Sequence, residues 1–541
     1  MFTTNDPYDA DPSYLIGAKN TYIPDAMAGS GVYGRPGFRL ALAGDPLYVG
    51  AANYRGQCIY SHPMLDGTVI ELIVHGGRLF RLDAALAIAV DVSPVGITID
   101  SNATTRVYMA SCNGSLVVTD GINRPWVGSD LTASPITGTY IDYDGAAVEW
   151  TAFGAPQVYL GGVFFILNEV GGVARRLDVS YSEPGLPLVG YQQTDYDNNI
   201  SLITSSGSPV FALSSTNTAL YYWRAQSVGT ISGPDIGNLS SSPSEDAIAF
   251  NVGSQAPATI SQFGNSFFFA DAIGRPWLFN YGQAPKPIWY DMRGVVQAQQ
   301  VASPSTTAIV STACIEPTLN KYIAALWSAD PISFAPPDTM YVFDAVTANY
   351  EGIWQVTDED DPTSGLGLEC IGVLTDSSGR ARLVALTPGG YVWYATAMTS
   401  TPAYITTEDG DRITTEDGDP LVTESLPATW KDDGVIPDIY IQTDRLGYED
   451  SVNWNVDRVI VTTLNPGPVE VTVNTSMTVS TVQGIPEPSI SQDATYRLVC
   501  GVDAMGRGPT VTVKALTADD QFAAERISLV AIPSRSGPED S

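Results

Sequence analysis

NGSLVVTDGINRPWV (Asn113–Val127) and GNSFFFADAIGRPWL (Gly264–Leu278) begin 151 residues apart and share one pattern: a Ser, three apolar residues, an Asp, then Ile-x-Arg-Pro-Trp and an aliphatic residue. Agreement over so many positions marks a repeated strand–turn–strand unit. GGRLFRLD (Gly76–Asp83) and GGYVWYAT (Gly389–Thr396) carry the same outline of glycine turn and strand. Working outward, short apolar or alternating stretches recur, cut by Gly, Asn, Asp and Pro. Examples are TVIELIVHGGRLFRLD (Thr68–Asp83), QVYLGGVFFILNE (Gln157–Glu169) and SPVFALSSTNTALYYWRAQ (Ser208–Gln226). Helical periodicity is almost absent. Strand pairs joined by tight turns at this spacing predict an all-β protein, and 50 glycines and 37 prolines agree with that.

At 541 residues the chain exceeds one ordinary core. Similar β-units over residues 40–400 predict a β-propeller-like domain, in which blades of four short strands take roughly 40–50 residues each; a row of closed sandwiches is the alternative. From about residue 427 to 541 the texture changes. VNWNVDRVIVTT, VEVTVNTSMTV and TVTVKALT alternate as half-buried strands do, predicting a C-terminal β-sandwich-like domain. Residues 1–39 show no clear pattern and read as an extended arm. Residues 401–426 form an acidic repeat: ITTEDGDR (Ile405–Arg412), ITTEDGDP (Ile413–Pro420), then a third copy begun at Leu421.

The net charge of −33 disfavours any stable grip on phosphates, since nucleic-acid binding needs Lys and Arg to displace condensed counterions. DNA near such a surface slides past rather than sticks. MFTTNDPYDADPSY has neither the basic start nor the apolar core of a signal peptide, and the longest apolar run, VYLGGVFFIL (Val158–Leu167), is about half a membrane span. The cysteines (Cys58, Cys112, Cys314, Cys370, Cys500) are odd in number, scattered and without CxxC, and read as free buried thiols.

Candidate chemistry is thin. His62 and His75 are the two histidines, and they offer neither a Ser-His-Asp arrangement nor HExxH; turn or strand-edge roles are expected. GSGVYG (Gly29–Gly34) matches GxGxxG, but Arg35-Pro36-Gly37 breaks the helix the motif requires, so a loop is expected. The dense carboxylates of Asp409, Asp411, Asp417 and Asp419 could hold calcium. They lack the twelve-residue loop and terminal Glu of an EF-hand, and Asp-Gly is the strongest two-residue hairpin signal, so strand–turn–strand is the preferred reading. No cofactor and no catalytic residue is expected.

Several segments resemble the tail nozzle and packaged-DNA stabilisation proteins of short-tailed bacteriophages. NTYIPDAM with GRPGFRL (Gly34–Leu40) resembles their opening, and YRGQCIY leading to VHGGRLFRLD resembles their first blade hairpin. YSEPGLP (Tyr181–Pro187) is similar to their Ser-x-Pro-Gly-x-Pro segment, although Leu188-Val189-Gly190 follows where the family continues with Asn-Trp. FGNSFFFADAIGRPWLF is similar to one of their blades, and IYIQTDRLG and ERISLVAIP resemble the strands that close their β-region. The resemblance implies a non-enzymatic virion protein of the phage tail. Six copies would form a nozzle below the portal and its adaptor, meet tail fibre or spike proteins, retain packaged DNA and pass it at ejection. The rival from another class is a carbohydrate-binding or carbohydrate-degrading tail-associated propeller.

In a tail, the acidic ribbon would offer strand edges to neighbouring subunits or fibres, with Ile405, Glu408, Asp409, Ile413, Glu416 and Asp417 as docking candidates. A period of eight returns Ile405, Ile413 and Leu421 to one strand face. Replacing Gly410 and Gly418 together with Val forces a β-branched residue into the positive φ that the turn requires. The expected outcome, read by co-sedimentation with tail components, is weakened attachment with an unchanged melting profile of the propeller; normal attachment would make the ribbon a passive linker.

Overall fold

The structure is a computed structural model that describes residues 15–396 and 439–534, apart from 23–31, 48–54, 103–104, 124, 130–131, 136–139, 142–146, 149, 160–162, 171–177, 184–185, 191–198, 202–208, 217–218, 233–243, 251, 281, 290–309, 328–335, 358–364, 444–452, 464–466, 489–495, 508 and 517–522. The acidic repeat at 401–426 therefore lies outside the described residues. The chain separates into two compact units. One comprises residues 40–350 and 367–394, the other residues 1–39, 351–366 and 395–541.

Besides the two-stranded pair Tyr140–Ile141 and Ala147–Val148, the described strands of the first unit group into seven small antiparallel sheets, in agreement with the propeller-like reading. The first sheet is Gly56–Pro63, Val69–His75, Arg78–Leu82 and Ala89–Asp91. The second is Tyr108–Cys112, Ser115–Thr119, Trp126–Ser129 and Thr132–Pro135. The third begins with the long hairpin Trp150–Tyr159 and Val163–Val170, and the fourth with Val210–Ser215 and Leu220–Arg224. The fifth is Ser261–Phe263, Ser266–Ala270, Pro276–Asn280 and Lys286–Pro287. The sixth contains Thr312–Glu316, Lys321–Ala325 and Met340–Asp344. In the seventh, Cys370–Thr375, Ala381–Thr387 and Tyr391–Ala395 take Phe38–Leu40 as their fourth strand.

The two halves of the sequence repeat fall on the same hairpin in identical register. Val117 faces Val127 and Val118 faces Trp126 in the second sheet; Phe268 faces Leu278 and Phe269 faces Trp277 in the fifth. Their apolar triplets are buried for the same reason. Leu116, Val118 and Trp126 join the core between the first and second sheets, while Phe267 and Phe269 pack on Trp223 of the fourth, with ring centroids 5.8 and 4.8 Å away.

The first strands of the first four sheets lie against one another in turn, as do those of the fifth, sixth and seventh, with the short turn Pro257–Thr259 standing among those of the third, fourth and sixth; contact between Cys370–Thr375 and Gly56–Pro63 then joins the last sheet to the first. Ala41 donates its N–H to the Val392 carbonyl (2.8 Å) and Leu47 its N–H to the Gly390 carbonyl (2.9 Å), so the start of this unit is laced to its last sheet.

The second unit is a β-sandwich. One sheet runs in the order Thr21–Tyr22, Val32–Gly34, Ala523–Ser534, Asn453–Thr463, Tyr496–Gly506, Glu487–Pro488; the other runs Leu15–Lys19, Tyr440–Thr443, Thr510–Ala515, Val469–Asn474, Val479–Gly484. Alternation sets the core: Val469, Val471 and Val473 are buried while Glu470 and Thr472 are not, and Val456, Val459, Cys500, Val502, Val511 and Val513 complete the same cluster. Each such valine contributes about 1.5 kcal/mol or more.

The N-terminal segment differs from the extended arm expected of it: it supplies three strands to this sandwich. Val32–Gly34, at the end of the GxGxxG match, is one of them rather than a loop. Leu15–Lys19 pairs with Tyr440–Thr443, and Lys19 also faces Ile353. Arg35, wholly buried, pins these pieces. It donates through Nε to the Asn20 side chain (3.0 Å) and through its terminal nitrogens to the carbonyls of Pro36 (2.6 Å) and Gln355. Asn20 Oδ1 also accepts the Gln355 N–H (2.8 Å), and Trp354 Nε1 donates to the Thr21 carbonyl (2.6 Å). Arg35→Ala takes the guanidinium donors from the buried Pro36 and Gln355 carbonyls and from Asn20, so it should cost on the order of 3 kcal/mol or more. Urea denaturation followed by fluorescence should show the lower midpoint.

Candidate functional site at the closing joint

The docking and metal candidates Ile405, Glu408, Asp409, Asp411, Ile413, Glu416, Asp417 and Asp419 lie outside the described residues. Among the described residues, no group of three or more His, Cys, Asp and Glu is placed to hold a metal ion, and no helix is long and apolar enough to cross a membrane. Among the described residues, buried polar side chains gather at the joint where the seventh sheet meets the first.

Two carboxylates span that joint. Glu71, in the second strand of the first sheet, accepts the Thr375 N–H (2.9 Å) through one oxygen and the Ser61 hydroxyl (2.5 Å) through the other. Glu369, just before the seventh sheet, accepts the Gly56 N–H (2.8 Å). Arg106 gathers three segments. It donates to the Gly56 carbonyl (2.5 Å), to the Glu369 carbonyl (2.6 Å) and, through Nε, to the Val310 carbonyl (2.9 Å). Alternation alone cannot place these groups, because their partners are up to 313 residues away. Glycine is required where the strands meet: a Cβ on Gly372 would stand 2.7 Å from Ile59 Cβ, and one on Gly56 2.7 Å from Leu386.

His75 closes the strand Val69–His75 and is 2% exposed. Neither ring nitrogen has a hydrogen-bond partner; Nε2 stands 3.9 Å from the Glu369 carboxylate, and the Gly390 turn packs over the ring. His62 is buried within its strand, its Nδ1 2.7 Å from Ser111 Oγ. Both histidines are buried; His75 stands at the end of its strand beside the Gly76-Gly77 turn, and His62 lies within its strand.

Burial sets the chemistry of the joint. It raises the carboxyls of Glu71 and Glu369 above the usual range despite the bonds from Ser61, Thr375 and Gly56 that favour the anions. It pushes His75 down to about 4. It lifts the Cys370 thiol to about 11, against the pull of Arg106, and raises Cys58 and Cys314 as well. Thiols held in the neutral form are poor nucleophiles. All five cysteines are free, with Cys58, Cys370 and Cys500 buried and Cys112 and Cys314 partly so. Groups enclosed this way hold sheets together; they do not present a reactive atom to solvent.

A second recurring device escaped the sequence reading. At five hairpins an Asp ends a strand and turns its carboxylate back on the loop. Asp120 accepts the N–H of Ile122 and Asn123, Asp271 those of Ile273 and Arg275, and Asp344 those of Val346 and Thr347. Asp83 accepts those of Ala87 and Ile88, and Asp376 those of Ser378 and Arg380. Arg275, just before the following strand, and Arg382, within it, each clamp their Asp at 2.7 Å. Partial burial works against the Asp376 anion, but the bonds from Ser378, Arg380 and Arg382 hold its pKa at about 2. The signal was present as Asp followed at three residues by Gly274 or Gly379, each at positive φ.

No protein-family profile and no curated protein matches the chain. Similar folds occur among solved structures at low identity. BBS1N in complex with ARL6DN is 9% identical over 67% of this chain and 98% of its own, with a TM-score of 0.41. The extracellular domain of a putative hybrid two-component system from B. thetaiotaomicron is 12% identical over 75% of this chain and 51% of its own (TM-score 0.39). The N-terminal domain of Nup159 is 11% identical over 66% and 95% (TM-score 0.34).

His75 provides a pH test of the joint. Its folded pKa lies below its ordinary value, so its neutral form belongs to the fold. That stability is complete above about pH 6.5 and is lost as pH falls toward 4, by about 3 kcal/mol. The raised Glu71 and Glu369 act oppositely, gaining stability as they take up protons. His75→Leu should therefore remove the acid-side decline and expose the opposing rise. Urea titrations at fixed pH between 4 and 7 measure this, and an unaltered pH profile would exclude His75 as its source.

Proposed function

We propose that this chain is a structural virion protein that forms the tail nozzle of a short-tailed bacteriophage, retaining packaged DNA and giving it a channel for ejection. The observation that carries the reading is that the family-like motifs coincide with residues that hold the fold. Arg35 of GRPGFRL is the buried pin of the sandwich. Gly56 of YRGQCIY is gripped by Glu369 and Arg106, and VHGGRLFRLD supplies His75 and the capping Asp83. FGNSFFFADAIGRPWLF builds the fifth sheet, IYIQTDRLG contains the strand Tyr440–Thr443, and ERISLVAIP forms most of the last strand.

The net charge of −33 supports the same role. A nozzle must contain DNA without binding it, and an acidic wall repels the phosphate backbone and gives it no foothold. In this reading the protein works without catalysis and without a cofactor. Its partners are further copies of itself, an adaptor on the portal side, and fibres or spikes outside, and its place is the phage tail.

Copies of net charge −33 repel one another, so ring assembly should strengthen with salt, which screens that repulsion over about 10 Å at 0.1 M. Native mass measurement and images of the purified chain across a salt series test this. Rings of about six copies at high salt are expected. A strict monomer at every salt, with release of oligosaccharides from host surface polysaccharide, would favour the carbohydrate-active reading instead.

A further inference from the structure

The second unit is built from two parts of the chain that meet along short ladders. One part is the N-terminal strands with residues 351–366; the other is the C-terminal stretch 439–534. Among the described residues, the core cluster is drawn wholly from Ile439 to Ala531. The N-terminal part is tied to itself instead. Arg35 bridges the Asn20 side chain and the Gln355 carbonyl, Gln355 returns its N–H to Asn20, and Trp354 donates to the Thr21 carbonyl. This part runs directly into the first unit at residues 40, 350 and 367.

Two ladders join the parts. Leu15, Gly17, Ala18 and Lys19 stand opposite Thr443, Gln442, Ile441 and Tyr440, and Val32 and Tyr33 stand opposite Ala524 and Ala523. Of the residues so paired only Lys19 is charged. The covalent route is much longer. After residue 396 the chain reaches the C-terminal part only through residues 397–438, which include the acidic repeat. A segment of that length spans up to roughly 140 Å when extended. Short ladders bridged by so long a tether form equally well between copies, because the two arrangements share their contacts and differ in the tether alone.

Charge suits this seam to contact between copies. Residues 12–44 carry Lys19, Arg35 and Arg39 against the single carboxylate of Asp25, in a chain of net charge −33. Residues 439–534 carry eleven carboxylates against six basic residues. Acidic surfaces of two copies repel, whereas a basic segment meeting an acidic sandwich attracts. The two surfaces differ, so a contact between them is heterologous, the kind from which closed rings are built. We propose that in the assembled ring each chain's residues 439–534 dock on the N-terminal strands of the next copy, exchanging the seam made here within one chain. The proposal rests on the ring of the nozzle reading and names its interface.

Cross-linking across the seam tests it. Two full chains, one with Gly17→Cys and the other with Gln442→Cys, are co-expressed under different affinity tags and mildly oxidised at high salt. The expected product joins the two tags, and its peptide map contains a 17–442 disulfide; Tyr33→Cys with Ala523→Cys should behave alike. The double variant Gly17→Cys/Gln442→Cys should give a ladder of covalent oligomers that ends at the size of the ring. Circular dichroism confirms that each variant is folded. A double variant that cross-links only within single chains overturns the proposal, as does the absence of any inter-chain product at both pairs. Rings that persist in either case leave the nozzle reading standing and remove the exchange alone, whereas a chain that stays monomeric at every salt removes both.

Discussion

Seven sheets set side by side form a row with two ends, and each end would expose an apolar sheet face and an unpaired edge until it met the other. Here the ends meet where Cys370–Thr375 lies against Gly56–Pro63, and the chain laces them by returning Leu40 and Ala41 to the side of Tyr391–Ala395. The remaining sheets depend on this joint, because the row of sheets is joined end to end only there. Burial at the joint is also costly. Glu71, Glu369 and Arg106 are all below a tenth exposed, and a buried charge costs several kcal/mol unless its partners are in place. Backbone donors and acceptors supply them: Thr375 and Gly56 N–H to the carboxylates, and the carbonyls of Gly56, Val310 and Glu369 to the guanidinium. Polar satisfaction across the seam gives it a register that apolar contact alone would leave loose.

Much of the architecture was legible because its signals are local. The Ile-x-Arg-Pro-Trp repeat landed on two hairpins with the same register, and valine alternation in VEVTVN and TVTVKA marked the sandwich strands. What the sequence concealed is what depends on distant partners. Leu15–Lys19, Thr21–Tyr22 and Val32–Gly34 are too short to carry a period, and their partners lie at Tyr440–Thr443 and Ala523–Ser534; an arm was therefore the natural expectation. Glu71 and Glu369 look like any surface carboxylates until the ring closes over them. The Asp-capped hairpins lay between these cases. Their spacing is local, but Gly274 and Gly379 show the regular form, whereas Leu86 and Ala348 take the positive φ elsewhere and obscure the pattern.

The proposed role uses the acidity of the molecule in two ways. Charge of one sign spread over a surface keeps a polyanion moving, and it also restricts where copies of the same chain can touch. Contacts must then lie at uncharged places. Function and assembly thus draw on the same imbalance between acidic and basic residues, while the fold rests on a few buried charges that have been paired with backbone.

Native-state amide hydrogen exchange on the intact protein tests the central claim most directly. If the joint is what the ring depends on, the amides of Ala41, Leu47, Gly56 and Thr375 should exchange together, at the free energy of unfolding of the whole ring. If they instead exchange early, while amides in the second to fifth sheets stay protected, the first and last sheets part without the rest, and the joint is not the constraint that holds the ring.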